Sequence, residues 1–384
     1  MEGFTHLQFK KQWKLTENCI FELGQCDAII KSISKMPLQP DYHRMLLNVS
    51  LKKGAQATTA IEGNTLTSEE IEKIIQGNSL PPSKEYQQIE VKNILDAYNQ
   101  LLEEVVAGDK EEIVTDVLIK RFHKIVGQNL GDHFQAIPGK FRKTQVVVGS
   151  YRCPNYEYVP ELINKFCQWI GDEFHYSKGQ SFKDVIIQAI VCHVYIAWIH
   201  PFGDGNGRTA RLLEFYLLLR AGNPDISLHI LSNFYNDTRN EYYRLLDQSA
   251  KKNDLSEFIE YAVKGFRDGL LGTLEIIQKN ILEISWKKYI YDKFSEVKFL
   301  KKDVHKRKRN LALNIPFDKI LTIDEIIFSN PAIAKSYFNV TERTIDRDLE
   351  ELVKMKILVK KRKLYMANID ILSLPQMREN NRIK

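Results

Sequence analysis

Few of this chain's 384 residues are of the kind that would make it a disulfide framework or a metal ribbon. It has five cysteines (Cys19, Cys26, Cys153, Cys167 and Cys192). They form no CxxC pair and leave one over, which excludes a zinc ribbon and a paired disulfide framework and leaves reduced structural thiols. Long hydrophobic runs are also missing. The longest, at 185–199, is short for a bilayer span and carries Gln188 and His193, so it reads as a buried helix with no membrane role. The opening MEGFTHLQFKKQWK has neither an apolar h-region nor a small-residue cleavage site, and the expected location is cytoplasmic. There is no internal repeat and no low-complexity tract.

What is present is a hydrophobic content of 43%, enough at this length for two or three cores. The net charge of +6 is unevenly spread. Residues 285–384 hold 23 Lys and Arg against 13 Asp and Glu, leaving 32 against 36 in the remainder. A basic C-terminal third on a slightly acidic body reads as a separate module that could meet nucleic acid or an acidic protein surface.

Apolar residues recur at i, i+3 and i+4 through most of the chain, so the fold is expected to be mainly α. Residues 1–80 form a helical N-terminal region; Thr67 with Glu70 three residues on is a capping box, and Gly77 and the Pro81-Pro82 pair close the segment. Within 139–160, KTQVVVGS followed by NYEYVP predicts a β-hairpin. The run near 182–199 is apolar almost all round and marks a central helix, followed by a second to about Arg220 that Gly222 and Pro224 stop. Asp254 with Glu257 opens a long helix to about Glu296, in which Gly265, Gly269 and Gly272 are possible bends. The charge run KFLKKDVHKRKRN predicts a solvated linker, set at 297–312. It separates a core at 81–296 from a module at 313–384. In that module Asn330 before Pro331 and Thr341 can cap two helices, Ile345, Leu349 and Leu352 form a core stripe, and an apolar-basic strand pair follows. The order resembles a small winged helix-turn-helix domain.

Residues 200–211, HPFGDGNGRTAR, concentrate the chemistry. Glycines on either side of Asn206 let backbone N–H groups form an anion nest at the start of a helix, where phosphate is favoured. Asp204 is a hard oxygen ligand suited to Mg²⁺ beside phosphates, Arg208 and Arg211 share a helix face, and His200 can take a proton near neutral pH. The stretch matches HxFx(D/E)GNGRxxR and so resembles the Fic family, whose usual activity is transfer of AMP from ATP to a protein hydroxyl. The resemblance implies a Fic-type helical core with a hairpin flap. It makes His200 the general base, Asp204 the ligand of Mg²⁺, and Asn206 with the Gly205 and Gly207 amides the holder of phosphate oxygens. Arg208 and Arg211 take the β- and γ-phosphates, and Phe202 anchors the loop. Relatives that transfer phosphate in reverse orientation replace the second motif glycine with lysine; Gly207 and Arg211 here favour adenylylation. Tyr242 and Tyr243 match a tyrosine pair used around adenine, against the alternative of ordinary helix packing, and the hairpin at 143–149 corresponds to a flap on which a target segment adds as a strand.

TTAIEG at 58–63 resembles the (S/T)xxxE(G/N) inhibitory helix of many Fic proteins. The resemblance implies that Glu62 pairs with Arg211, that Thr58 hydrogen-bonds nearby, and that Gly63 completes the motif N-terminal to the core, the class II arrangement. His193, seven residues before His200, reads as a satisfied core histidine, since no third ligand stands at metal spacing. The expected partners are ATP, a protein hydroxyl (Ser, Thr or Tyr, the chain itself included), a second copy in a homodimer, and DNA through the C-terminal module. Two alternatives stay open: a DNA-binding regulator that uses the Fic fold as a nucleotide sensor, and a Fic enzyme that mainly removes AMP. The segment 341–355, with three basic and five acidic residues, argues against DNA in the major groove beyond the first turn, at Arg343 and Thr344.

Overall fold

The apolar run is one helix, Phe182–Ile199, with every residue from Val185 to Ile196 buried. By length and composition it would pass for a membrane span, but 78% of it is buried inside the protein, and a helix apolar all round is what a core of this kind requires. The computed structural model describes residues 4–108, 113–149, 151–174, 182–296 and 302–372. The chain divides into two compact units, Met1–Glu275 and Ile276–Lys384.

In the first unit the motif helix, Asn206–Arg220, packs along the central helix and is itself almost wholly buried. Glu17–Lys35 and Val159–Glu173 pack against the central helix; Glu85–Val106, Asp116–Val126 and Pro40–Ala60 pack against the motif helix. Each leucine, isoleucine or phenylalanine removed from water here contributes about 1.5–3 kcal/mol, so the motif loop hangs from the most firmly held part of the unit. Starts are set by side chains: Thr16 and Thr115 accept from backbone N–H groups, and Thr67 with Glu70 forms the expected capping box. Gly265 and Gly269 serve close packing. A Cβ at Gly265 would strike the Phe234 ring and one at Gly269 the Ile230 side chain. The hairpin is minimal, Val147–Val148 pairing antiparallel with Tyr151–Arg152; residue 150 lies outside the described residues.

In the second unit the helices Lys302–Asn314, Ile323–Phe328, Pro331–Tyr337 and Glu342–Lys354 surround a core that includes Ile326, Ile333, Ile345, Leu349, Leu352 and Tyr365. Leu364–Ala367 is the central strand of an antiparallel sheet between Ile320–Leu321 and Leu358–Lys361. Asn330 caps the helix that Pro331 opens, its side chain accepting from the Ala332 N–H at 2.8 Å.

Two expectations about the division change. The boundary falls at residues 275 and 276, within the long helix Ser256–Glu296, and not after it. Residues 302–312 of the expected linker are helical, because the charge run hides a buried stripe. Lys308, Leu311 and Ala312 face the core, and Lys308 is neutralised there by Asp348 and Glu351. Residues 297–301 of that linker lie outside the described residues. The acidic character of 341–355 is also partly inward: Asp348 is fully buried, Glu351 pairs with Lys308 and Glu350 with Lys360.

Candidate active site

The central helix ends at His200, whose backbone is left-handed at φ +50° while its N–H still donates to the Ile196 carbonyl at 2.9 Å. A non-glycine residue held there costs about 1–2 kcal/mol, and the turn it makes throws the chain out of the helix into the loop. The loop is closed by Asn206. Its Nδ2 donates to the Phe202 carbonyl and its Oδ1 accepts from the Phe202 N–H, both at 2.9 Å. Phe202 is fully buried and lies flat on the His123 ring, with 3.6 Å between centroids. Gly205, at φ +75°, begins the motif helix, and a Cβ there would meet the Phe134 ring at 2.9 Å.

Asn206 thus departs from its expected role, since both ends of its side chain hold the loop. What remains for an anion is the run of N–H groups opening the helix, which have no carbonyl a turn behind them. The Glu62 carboxylate stands against the first turn of that helix, where a Cβ on Gly207 would collide with its Oε1.

Glu62 lies just beyond the helix Pro40–Ala60, on a turn in which Gly63 takes φ +101° and the Glu62 N–H donates to the Thr59 carbonyl at 3.0 Å. Its Oε1 accepts from Arg211 Nη2 at 2.5 Å. Thr58 completes the grip, its hydroxyl accepting from Arg211 Nε at 2.7 Å and its carbonyl from Nη2 at 2.9 Å. Arg211 is 1% exposed and its Nη1 has no acceptor. Burial alone would raise the Glu62 carboxyl, but the charge and hydrogen bond of Arg211, with Arg208 and His200 adding to them, leave it below the usual carboxylate range. The turn is held from the other side by Arg239, whose Nη2 donates to the Ile61 carbonyl at 2.5 Å, at the negative end of the helix.

Arg208 is engaged as fully as Arg211. It pairs with Glu90 through Nη1 and with Asp204 Oδ1 through Nη2 at 2.8 Å. Asp204 Oδ1 also accepts from the Gly205 N–H at 2.5 Å.

His200 Nδ1 faces the Ala197 carbonyl at 3.3 Å, an acceptor only, which assigns the proton to Nδ1 and leaves the Nε2 lone pair open. Burial pushes the imidazole down to about 4, with Arg142 adding to it and Ala197, Glu62 and Asp204 opposing, so the ring is neutral at pH 7.

Sequence reasoning passed over two residues that position this loop. His123 accepts from the Gly139 N–H on Nδ1 and therefore donates from Nε2 to the Asp204 carbonyl, both at 2.9 Å. Arg142 donates from Nε to the His200 carbonyl at 2.8 Å, from Nη1 to Thr144 at 2.9 Å and from Nη2 to Pro154 at 2.5 Å, while its N–H reaches the Pro201 carbonyl. It ties the hairpin to the loop.

The tyrosine pair divides. Tyr242 is 3% exposed, and its hydroxyl bonds His193 Nε2 at 2.8 Å in a buried cluster with Glu214 and Tyr235, so it is a core residue and not a free adenine platform. Tyr243 is 41% exposed beside Arg239 and the turn that carries Glu62.

Residues 113–218 match the profile of the Fic/DOC family. This segment resembles a Fic domain. It holds the motif, His123, Arg142 and the hairpin; Thr58, Glu62, Glu90, Tyr242 and Tyr243 lie outside the matched span. Protein adenylyltransferase fic-1 of Caenorhabditis elegans is 31% identical over 229 residues, 59% of this chain and 42% of that protein. Its Caenorhabditis briggsae counterpart is 33% identical over 208 residues, 54% of this chain and 38% of that protein. The matched region spans less than half the length of both curated relatives. Among solved structures, a Fic family protein from Desulfovibrio desulfuricans G20 superposes with a TM-score of 0.57 at 17% identity, covering 93% of this chain and 98% of the other. C. elegans Fic-1 gives 0.56 at 24%, covering 68% and 74%. These likenesses establish the Fic fold.

Proposed function

We propose that the protein transfers AMP from ATP to a hydroxyl side chain of a protein, its own chain included, and that Glu62 restrains the reaction through Arg211. The observation that carries this is the neutral His200 imidazole, with Nε2 open, beside a helix N-terminus whose anion place is held by a carboxylate of the same chain. His200 Nε2 takes the proton of the incoming hydroxyl, whose oxygen bonds to the α-phosphorus. The bond from that phosphorus to the bridging oxygen breaks and pyrophosphate leaves. The amides opening the motif helix and the two arginines offset the charge that develops on the phosphates.

Asp204 is the one motif carboxylate, and among the described residues no three His, Cys, Asp or Glu side chains are placed to hold a metal ion. A single carboxylate suits Mg²⁺ that arrives on the triphosphate, where it would offset phosphate charge. We also read the second unit as a winged helix-turn-helix, on the order of helix, strand, three helices and hairpin.

Intact-mass spectrometry of wild type, Glu62→Gly and His200→Ala after incubation with ATP and Mg²⁺ tests the proposal. Glu62→Gly is expected to gain the mass of an adenylyl group, faster than wild type by roughly ten- to hundredfold if the restrained state is favoured by about 1.5–3 kcal/mol. His200→Ala should gain none. Equal rates for wild type and Glu62→Gly would remove the restraint from the proposal, and no gain in any variant, with or without an added hydroxyl-bearing protein, would remove the transfer.

A further inference from the structure

Both terminal nitrogens of Arg208 are held by carboxylates of the same chain. Nη1 is on Glu90, Nη2 is on Asp204, Nε is buried without an acceptor, and the guanidinium lies over the Phe134 ring. The Arg208 side chain is 3% exposed and that of Glu90 6%, so the pair is closed to solvent. The second oxygen of Glu90 accepts from Asn64 Nδ2 at 2.8 Å, and the same amide reaches the Gln87 carbonyl at 3.0 Å. Asn64 stands two residues after Glu62 on the same turn. One turn therefore bears on both motif arginines, on Arg211 through Glu62 and on Arg208 through Asn64 and Glu90.

The charge balance shows why this matters. Glu62, Glu90 and Asp204 face Arg208 and Arg211 with His200 neutral, so the cluster is negative by one unit, the wrong sign for a polyphosphate. Withdrawal of Glu62 brings it only to zero and frees only Arg211. Turning Asp204 toward a cation still leaves Glu90 on Arg208.

We propose that Glu90 is a second brake on the nucleotide site, holding Arg208 from the phosphates as Glu62 holds Arg211, so that full grip on a triphosphate requires both carboxylates to let go. The proposal rests on the AMP-transfer reading. Burial lifts the Glu90 carboxyl above its ordinary range against the pull of Arg208. The opposite role, Glu90 orienting Arg208 toward the phosphates, predicts the opposite sign for every measurement that follows.

Calorimetric titration of ATP with Mg²⁺, and separately of adenosine, into full-length wild type, Glu62→Gly, Glu90→Gln and the double variant decides between them. Gln keeps an acceptor for Asn64 and removes only the charge. In the Glu62→Gly background, Glu90→Gln is expected to tighten ATP by roughly three- to tenfold, the range of one net hydrogen bond. Adenosine, which has no phosphate, should bind equally well to both. ATP binding to the double variant equal to or weaker than to Glu62→Gly overturns the brake and leaves the transfer reading intact. Failure of Glu62→Gly to bind any phosphate-bearing adenine nucleotide overturns both. Should Glu90→Gln melt at a markedly lower temperature, Asn64→Ala in the same background replaces it, with tightening by about twofold expected and weakening again overturning the proposal.

Discussion

In the second unit, Asp348 is wholly buried and accepts from Arg307 Nε at 2.9 Å and from the Tyr337 hydroxyl at 3.0 Å, with Lys308 Nζ at 3.6 Å. In the first, Arg211 and Arg208 are as deeply buried, but their carboxylates stand on a turn, on a loop and on a neighbouring helix around an anion seat. The chemistry is the same and the use differs. Around Asp348 the cations come from one helix and the anion from another, and their job is to keep those helices together. Under the proposed function, the carboxylate at Arg211 stands in for a ligand, and the pair is a contact made to be exchanged. A buried ion pair is weak evidence of stability by itself; what tells the two kinds apart is whether one partner has a competitor of the same charge.

The strongest test of this contrast is Asp348→Ala. It takes the buried carboxylate from Arg307, leaves Lys308 with Glu351 alone, and should cost about 3–5 kcal/mol in the second unit, read as loss of hydrogen-exchange protection over 302–372. Glu62→Gly, by contrast, should leave protection in the first unit nearly unchanged outside its own turn. Equal losses in the two variants would erase the distinction.

Acid sharpens it next. Burial lowers His6, His123 and His200 to about 4 and His229 to about 3, all in the first unit. The unfolded chain binds these protons near pH 6.5 and the folded unit only near 4, so the histidines' contribution is complete above pH 6.5. It falls as the pH drops from there toward 4, by up to about 1.4 kcal/mol per pH unit for each histidine. Denaturant melts of the first unit followed at pH 7.5, 6 and 5 should show its midpoint falling across that window, and a flat midpoint would contradict the buried neutral rings.

The smallest effect belongs to Arg239→Ala. Loss of its hydrogen bond to the Ile61 carbonyl loosens the turn that carries Glu62, and automodification should rise by about two- to tenfold, without the full release that Glu62→Gly gives. An unchanged or lower rate would mean that Arg239 does not restrain the turn.

Much of the site could be read before the fold because its chemistry is contiguous. Residues 200–211 carry the proposed base, cation ligand and anion nest in a dozen positions, and the Glu62 pattern fits in six. His123, Arg142 and Glu90 could not be read this way. Each reaches the motif through a partner 81, 58 or 118 residues away, and no local spacing encodes that. Tyr242 and Tyr243 read as a pair in sequence, yet adjacent helical residues point about 100° apart, so one fills the core while the other faces out. The charge run before the second unit concealed its helix because the stripe's polar member, Lys308, is neutralised by residues 40 positions or more downstream.

Gly207 is the point where these strands meet, because the atom it lacks is the space Glu62 fills. Under the proposed function, that space admits either the carboxylate or a phosphate, never both, which makes Glu62 a tethered competitor of the substrate. Its potency is an effective concentration, set by how stiffly the few residues from Ala60 to Asn64 hold it over the helix end. Restraint of this kind has no absolute off position. It sets a threshold of nucleotide concentration, and the length and stiffness of that short tether are the dial on which the threshold is written.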